Sequence, residues 1–141
     1  MVDSVQAVIF NEDMKFLLIK RRGYHDSNFF WRLVKGRKRS GETDEDALKR
    51  EIEEETGLEK FNILKKIYSY SFISPEGDKV KVNTYLVFAK KDQRLQKKDE
   101  EEDIVEYKWA SFDEAKELLH YVEEIEAVQR AKENLNHPPF F

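Results

Sequence analysis

The sequence predicts an α/β fold in which helices pack on a mixed β-sheet. Three observations support this prediction: strand-like apolar runs lie before and after a central helical segment, a basic glycine-containing loop precedes that segment, and helical periodicity returns near the end. The 141 residues, of which 40% are hydrophobic and 13% aromatic, are enough to bury a globular core. We therefore expect one domain spanning residues 1–141.

The strands are predicted from apolar runs that turn residues separate. The predicted strands span residues 5–10, 15–22, 29–34, 61–73, 79–89 and 104–110. Pro75 and Gly77 favour a turn, so residues 61–89 read as a long β-hairpin. Residues 35–42 form a basic loop, and residues 90–103 form a charged surface loop.

The helices are predicted from their capping residues. Thr43 or Asp44 is the expected N-cap of the central helix, and Gly57 is its expected C-terminal stop. A capping box that begins at Ser111 starts one or two further helices, which continue to about residue 136. Helices before and after the later strands fit a sheet that is covered on its faces.

Composition excludes several classes of function. The net charge of −4, from 29 acidic and 25 basic residues, makes nucleic acid an improbable partner. The absence of cysteine excludes disulfides and thiolate chemistry. No signal peptide and no apolar run of the ~20 residues needed to span a membrane is present. We expect a cytoplasmic protein that contacts no membrane and exists as a monomer or homodimer.

The segment REIEEETG, residues 50–57, concentrates acidic side chains in one helix. At about 100° per residue, Glu51, Glu54 and Glu55 share one face. Like charges at this spacing destabilise a helix, and the macrodipole disfavours anions near its C-terminus. A solvated acidic face is one interpretation. The other is a site for Mg²⁺ or Mn²⁺, which bind carboxylate oxygens and convert the repulsion into coordination.

The rest of this helix divides into two further sectors. Leu48 and Ile52 point toward the sheet, whereas Thr56 is expected to point to solvent. Arg50 is placed to pair with Glu54 at i+4 and would orient that carboxylate.

The loop before the helix is strongly basic. Lys35, Arg37, Lys38 and Arg39 surround Gly36. A metal ion next to cationic side chains is the combination that phosphate substrates require, because both neutralise charge in the transition state. The alternative is that these bases only balance the nearby acids, and this applies most to Lys38 and Arg39.

Residues 36–58, GRKRSGETDEDALKREIEEETGL, resemble the signature box of the Nudix hydrolases. The matching fixed positions are Gly36, Glu42, Arg50, Glu51, Ile52, Glu54, Glu55, Gly57 and Leu58. The resemblance implies an α/β/α sandwich with a mixed sheet between helices. It also implies hydrolysis of a nucleoside diphosphate linked to another group, with Mg²⁺ or Mn²⁺ as cofactor.

The resemblance also implies roles for residues of the box. The metal ligands would be Glu51, Glu54, Glu55 and the carbonyl of Gly36. Arg50 would orient the glutamates, and Glu42 would support the loop or an outer metal. The general base would be Glu54, Glu55 or an acid before the last strand. Counting back from Trp109, that acid is Asp103, with Glu101 and Glu102 as neighbouring alternatives.

The substrate is less well defined by the sequence. Residues 106–135 resemble the C-terminal part of the diadenosine tetraphosphate hydrolase branch, although Val34 and Asp103 differ from its usual residues. The Trp-x-x-Val-x-Gly pattern at residues 31–36 resembles pyrophosphatases of nucleoside or pterin triphosphates. A dinucleoside polyphosphate such as diadenosine tetraphosphate is thus the expected substrate, and a nucleoside or pterin triphosphate or a capped RNA end is the alternative. The alternative to an enzyme is a non-catalytic module that senses nucleotides.

Candidate substrate contacts combine aromatic and basic side chains. The candidates for base stacking are Trp31, Tyr70, Phe72 and Tyr85. The candidates for phosphate contacts are Lys35, Arg37, Lys79 and Lys81. Residues expected at the border of the cleft are Arg21, Arg22 and His25. Core packing is the alternative role for the aromatics, and solubility is the alternative role for the strand lysines.

Overall fold

A computed structural model describes residues 1–23, 27–100 and 103–136 of the chain. The strands are β1 (Val2–Phe10), β2 (Phe16–Arg22), β3 (Phe29–Arg32), β4 (Val34–Arg37), β5 (Asn62–Ile73), β6 (Lys79–Phe88) and β7 (Ile104–Ala110). The helices are α1 (Asp44–Thr56), α2 (Phe112–Leu118) and α3 (Val122–Asn136). Within these residues, no helix is both long enough and apolar enough to cross a membrane.

The strands form one mixed sheet, as the sequence predicts. Its main path runs β3-β2-β1-β6-β5, while β4 pairs with β1 and β7 pairs with β2. The β1–β6 pair is parallel and the other pairs are antiparallel. The parallel pair requires a long crossover, and the connection through α1 and β5 provides it.

Alternating residues of β1 bury the two faces of the sheet. Val5, Ala7 and Ile9 share a core with α1, whereas Val8 and Phe10 share a second core with α2 and α3. This alternation follows from the two-residue period of a strand. The predicted α/β/α sandwich, with a mixed sheet between helices, is confirmed.

The predicted strand at 29–34 and the first half of the predicted basic loop are arranged differently. Strand β3 ends at Arg32 and pairs with β2, and β4 then pairs with β1. Lys35 lies opposite Gln6, and Gly36 lies opposite Val5. The basic segment thus begins as a strand because β1 supplies partners for its backbone groups. Lys35 and Gly36 are therefore held on a hydrogen-bonded strand.

Arg50 connects α1 to the loop at residues 38–43, which joins β4 to this helix. Its Nε and Nη2 each donate to a carboxylate oxygen of Glu42 at 2.7 Å, and Nη2 also donates to the carbonyl of Arg37 at 3.1 Å. The hydrogen bonds from Arg50, followed by that from the Arg39 amide, lower the pKa of Glu42 to about 2. Thr43 is the N-cap and forms a capping box with Asp46.

The other end of α1 is contacted by the segment 90–100. The amide of Gln96 donates to the carbonyl of Thr56 at 2.9 Å, and the amide of Lys98 donates to that of Glu54 at 2.8 Å. The prediction that Thr56 faces solvent is wrong, because its side chain is fully buried. Its hydroxyl donates to the carbonyl of Ile52 at 2.6 Å. Gly57 ends the helix with φ at 76°.

The Glu42 ion pair predicts a stability difference that depends on pH. A carboxyl whose pKa is lowered on folding stabilises the protein above its unfolded pKa of 4.5 and loses this effect as the pH falls toward 2. Urea denaturation should therefore show Glu42→Gln less stable than wild type near neutral pH, with the difference vanishing in acid. Glu45→Gln is the control, because Glu45 forms only an exposed pair with Lys49. A difference that persisted in acid would contradict this prediction.

Gly57→Ala should destabilise the protein more than Gly41→Ala does. Both glycines have positive φ, a conformation that costs a residue with a β-carbon about 1 kcal/mol. At Gly41 the added carbon meets nothing within 4 Å, whereas at Gly57 it overlaps the carbonyl oxygen of Gln96. We expect a loss of about 1 kcal/mol for Gly41→Ala and about 2–3 kcal/mol for Gly57→Ala by urea denaturation. Equal losses would contradict this prediction, because they would mean that the backbone at Gln96 moves away from the added carbon at no cost.

Candidate active site

The acidic cluster of α1 is organised around one guanidinium. Arg50 Nη1 lies 2.6 Å from Oε1 of Glu51 and 3.5 Å from Oε2 of Glu54, in addition to its bonds to Glu42. The predicted pairing of Arg50 with Glu54 is present, but Glu42 and Glu51 are held more closely. The hydrogen bonds that Arg50 donates to Glu42 are the largest cause of a raised pKa of Arg50. Arg50 thus fixes two of the three candidate metal ligands and the loop that precedes them.

Glu51 lies directly against the main chain of Gly36. A β-carbon at position 36 would overlap the Glu51 carboxylate, so this contact requires glycine. Only 7% of Glu51 is exposed. A carbonyl and a carboxylate side by side supply the oxygen ligands that Mg²⁺ and Mn²⁺ prefer. The donor set at this point fits the predicted cofactor.

Glu55 lies on the same helix but faces another cation. Its side chain is fully buried, and Arg21 Nη1 approaches Oε1 at 3.3 Å. Its carbonyl accepts a hydrogen bond from the Tyr107 hydroxyl at 2.6 Å, which fixes the helix against β7. Burial of a carboxylate requires a charge partner, and Arg21 supplies one.

The described residues do not contain three acidic or histidine side chains gathered around one point. The reason is that Arg50 holds Glu51 and Glu54, whereas Arg21 holds Glu55. The ligand set of Gly36, Glu51, Glu54 and Glu55 therefore stays a prediction. Its support is the oxygen chemistry of these groups and their position on adjoining segments.

A cleft of about 510 Å³ opens beside these residues and is rich in cations. It is lined by Arg21, Arg22, Arg32, Lys35, Arg37, Tyr70, Phe72, Ile73, Ser74, Pro75, Glu76, Tyr121, Glu123 and Glu124. The structure thus brings together Lys35, Arg37, Tyr70 and Phe72 of the predicted substrate contacts, with Arg21 and Arg22 of the predicted border. Five cations and three aromatic rings are the groups that would bind a nucleotide polyphosphate.

A larger groove of about 1100 Å³ lies beside the C-terminal end of α1 and the 90–98 loop. None of the candidate metal ligands lines it. The smaller cleft, where cations adjoin the acidic helix, is therefore the candidate active site.

Lys35 has an unusual environment in the cleft. Its Nζ lies 4.6 Å from the centre of the Phe72 ring. Burial, followed by repulsion from Arg32, lowers the pKa of Lys35 to about 8. The negative charges of Glu124 and Glu55 oppose this shift and raise the pKa of Lys35 in part. A phosphate anion would relieve the same repulsion.

A buried polar network at the floor of the cleft was not anticipated. Oε1 of Glu124 accepts from Arg32 Nε at 3.0 Å, and Oε2 accepts from Gln6 Nε2 at 2.9 Å. Oε1 of Gln6 accepts from Thr84 at 2.9 Å and from the Tyr70 hydroxyl at 3.3 Å.

The sequence carries a weak signal for this network. Ala127, Val128 and Ala131 follow Glu124 at the i+3, i+4 and i+7 spacing of a buried helix face, and all three are fully buried. Gln6 alternates in the same way with Val8 and is fully buried. A charged or polar residue in such a stripe indicates a buried partner, but the pattern does not identify that partner.

Four predicted substrate contacts do not line the cleft, namely Trp31, Tyr85, Lys79 and Lys81. The Tyr85 hydroxyl donates to Asp44 at 2.6 Å and thereby helps to fix the start of α1. Trp31 packs partly buried in the α2–α3 core with Lys20 Nζ 5.6 Å from its ring. Lys81 stands on β6 between β1 and β5 and is exposed. Their roles as substrate contacts therefore stay predictions.

Asp103 lies near the edge of the cleft. Its Oδ2 accepts from Arg22 Nε at 3.1 Å, and its carbonyl accepts from the Arg22 amide at 3.2 Å. Its side chain is 63% exposed, so the carboxylate is open to water. The alternatives Glu101 and Glu102 lie outside the described residues, as do His25 and residues 137–141.

Comparison with solved structures shows the same fold in several Nudix-type proteins. The C. elegans Ap4A hydrolase in a binary complex superposes with a TM-score of 0.80 at 20% identity, over 96% of this chain and 98% of that one. The MutT protein of Methanosarcina mazei Go1 gives 0.74 at 22% identity, over 95% and 94%. The E. coli dihydroneopterin triphosphate pyrophosphohydrolase gives 0.71 at 19% identity, over 91% and 92%.

Family comparison covers most of the chain. The model of the NUDIX domain matches residues 2–131, and this range includes the intact box at 36–58 and every described residue of the cleft. The protein therefore belongs to the Nudix family and is a Nudix hydrolase that acts on phosphoanhydride bonds.

Proposed function

We propose that this enzyme is a Mg²⁺- or Mn²⁺-dependent pyrophosphohydrolase of dinucleoside polyphosphates such as diadenosine tetraphosphate. The observation that carries the proposal is one cleft in which five cations and three aromatic rings adjoin the acidic face of α1. The cations match a polyphosphate chain, and the rings match the flat faces of nucleobases. The substrate of the similar C. elegans hydrolase supports the same choice.

The metal would be held by the carbonyl of Gly36 and the carboxylates of Glu51, Glu54 and Glu55. When bound, a divalent ion lowers the pKa of a water molecule and neutralises phosphate oxygens. Arg50 orients the two carboxylates that it contacts.

The cleft cations act on the substrate itself. Arg21, Lys35 and Arg37 line the cleft and would neutralise phosphate charge as the bridging bond breaks. Because Lys35 and Gly36 are on β4, the strand fixes the position of both the cation and the candidate carbonyl ligand.

The attacking water must lose a proton to a carboxylate. Asp103 is exposed and adjoins Arg22, which lines the cleft. Glu54 is the other accessible candidate, with 26% of its side chain exposed, whereas Glu55 is fully buried. We propose Asp103 or Glu54 as the general base, since the base must reach a water molecule within about 3 Å.

Three further expectations belong to this proposal. We propose one domain over residues 1–141, a cytoplasmic location and a monomer or homodimer. The alternative substrates are a nucleoside triphosphate, a pterin triphosphate and an RNA 5′-end. The similar E. coli dihydroneopterin triphosphate pyrophosphohydrolase favours the pterin triphosphate among these.

Product analysis distinguishes the substrates. With Mg²⁺ or Mn²⁺, diadenosine tetraphosphate should give ATP and AMP, because water attacks one phosphorus of the chain. A nucleoside or dihydroneopterin triphosphate would instead give a monophosphate and pyrophosphate. Products are separated by charge, and a parallel reaction with a chelator should show no turnover. Preference for a triphosphate would replace the substrate class, and absence of turnover with every substrate and both metals would overturn the proposal.

Glu54→Gln tests the metal cradle and excludes a non-catalytic module. Loss of one carboxylate should lower metal-dependent turnover roughly 100-fold, because the ligand loses its charge while keeping its shape. Glu53→Gln is the matched control, since Glu53 is the neighbouring glutamate on the exposed face of α1. Kinetics at several Mg²⁺ concentrations would measure both variants. Unchanged turnover in Glu54→Gln would remove Glu54 from the site.

A further inference from the structure

The guanidinium of Arg32 is fixed by contacts from helix α3 and the segment before it. Its Nε donates to Glu124 at 3.0 Å, and its central carbon lies 4.3 Å from the centre of the Tyr121 ring. Glu124 is itself held by Gln6 and is only 1% exposed. A planar cation that is both hydrogen-bonded at one edge and stacked on a ring has little freedom to turn.

The remaining donors of Arg32 face the cleft. A guanidinium has five N–H groups. Of these five groups in Arg32, only Nε–H has a hydrogen-bond partner among the described residues. The side chain is 16% exposed and lines the cleft, so its two Nη groups are available to a ligand there. Donors that are mostly buried favour an acceptor that offers two oxygens together, and a phosphate does so.

The charge of the cleft separates a phosphate from a nucleobase as this acceptor. Four cations of the lining are paired with a carboxylate: Arg21 with Glu55, Arg22 with Asp103, Arg32 with Glu124, and Arg37 with Asp78. Lys35 is the lining cation that has no such partner among the described residues. A base edge would satisfy the Nη donors of Arg32 but would leave the charge of Lys35 unpaired, so the cleft favours an anion.

We propose that Arg32 binds a phosphate of the substrate on the α3 side of the cleft, and that Glu124 is its positioning residue. This rests on the proposed function and adds a phosphate contact to it. The candidate metal ligands belong to α1 and β4, whereas Arg32 belongs to β3 and is held by Glu124 of α3.

The test is calorimetric titration with inorganic tripolyphosphate in the absence of divalent ions. We expect Arg32→Met to weaken binding at least about tenfold, which is the value of a hydrogen-bonded charge contact. Arg130→Met is the matched control. Arg130 also pairs with a glutamate of α3, Glu126, and lies over a tyrosine, but it does not line the cleft. Its affinity should stay within about twofold of wild type. Equal affinity of wild type and Arg32→Met would overturn the proposal.

Glu124→Gln separates positioning from simple electrostatics. Removal of a negative charge from the cleft would tighten anion binding if charge alone mattered. If Glu124 positions Arg32, binding should instead weaken at least about tenfold. Tighter binding would overturn the positioning role.

Arg32→Lys keeps the test decisive if Glu124→Gln does not fold, as judged by circular dichroism. Lysine retains the charge but lacks the planar fork, so it should also weaken binding about tenfold. Full affinity in Arg32→Lys would show that the oriented guanidinium is not required.

Separate turnover assays with Mg²⁺ show whether the proposed function itself fails. A wild type that binds tripolyphosphate through Arg32 but hydrolyses no nucleotide would refute only the function.

Discussion

The site depends on one guanidinium that three carboxylates share. Arg50 holds Glu42 of the loop and both Glu51 and Glu54 of α1. Without this cation, the like charges of the helix would repel one another and the loop would lose its attachment. Because Glu51 in turn lies against Gly36, the position of β4 is coupled to the same group. Loop, strand and helix thus meet at a single charge cluster.

The cleft also holds its charged groups in ion pairs, but here each carboxylate pairs with one arginine. Two buried glutamates, Glu55 and Glu124, each engage one arginine of the lining, Arg21 and Arg32. Buried ions persist when they are paired and hydrogen-bonded. These pairs hold two cations in fixed places on different elements, whereas a flexible surface lysine would sample many positions. A polyphosphate would therefore meet donors whose orientation is already established.

The sequence predicted the local parts of this arrangement well. The box at 36–58 lies within 23 consecutive residues, so its spacing determines how Glu51, Glu54 and Arg50 are placed on α1. The mixed sheet with packed helices followed from the order of strands and helices, and the α/β/α sandwich followed from the resemblance of the box. The floor of the cleft could not be predicted in the same way, because Gln6 and Glu124 are 118 positions apart. Only the register of the sheet and the packing of α3 bring them together.

The aromatic residues show why composition was a poor guide to the binding surface. Tyr70 and Tyr85 occupy neighbouring strands of one hairpin, yet Tyr70 lines the cleft and bonds to the buried Gln6, whereas Tyr85 bonds to Asp44 of α1. The two faces of the sheet determine this difference, because side chains on a strand alternate in direction. A shift of one residue in the β5–β6 register would exchange the faces. The lining of the cleft is therefore a consequence of strand register, and the acidic face of α1 is a consequence of helical spacing.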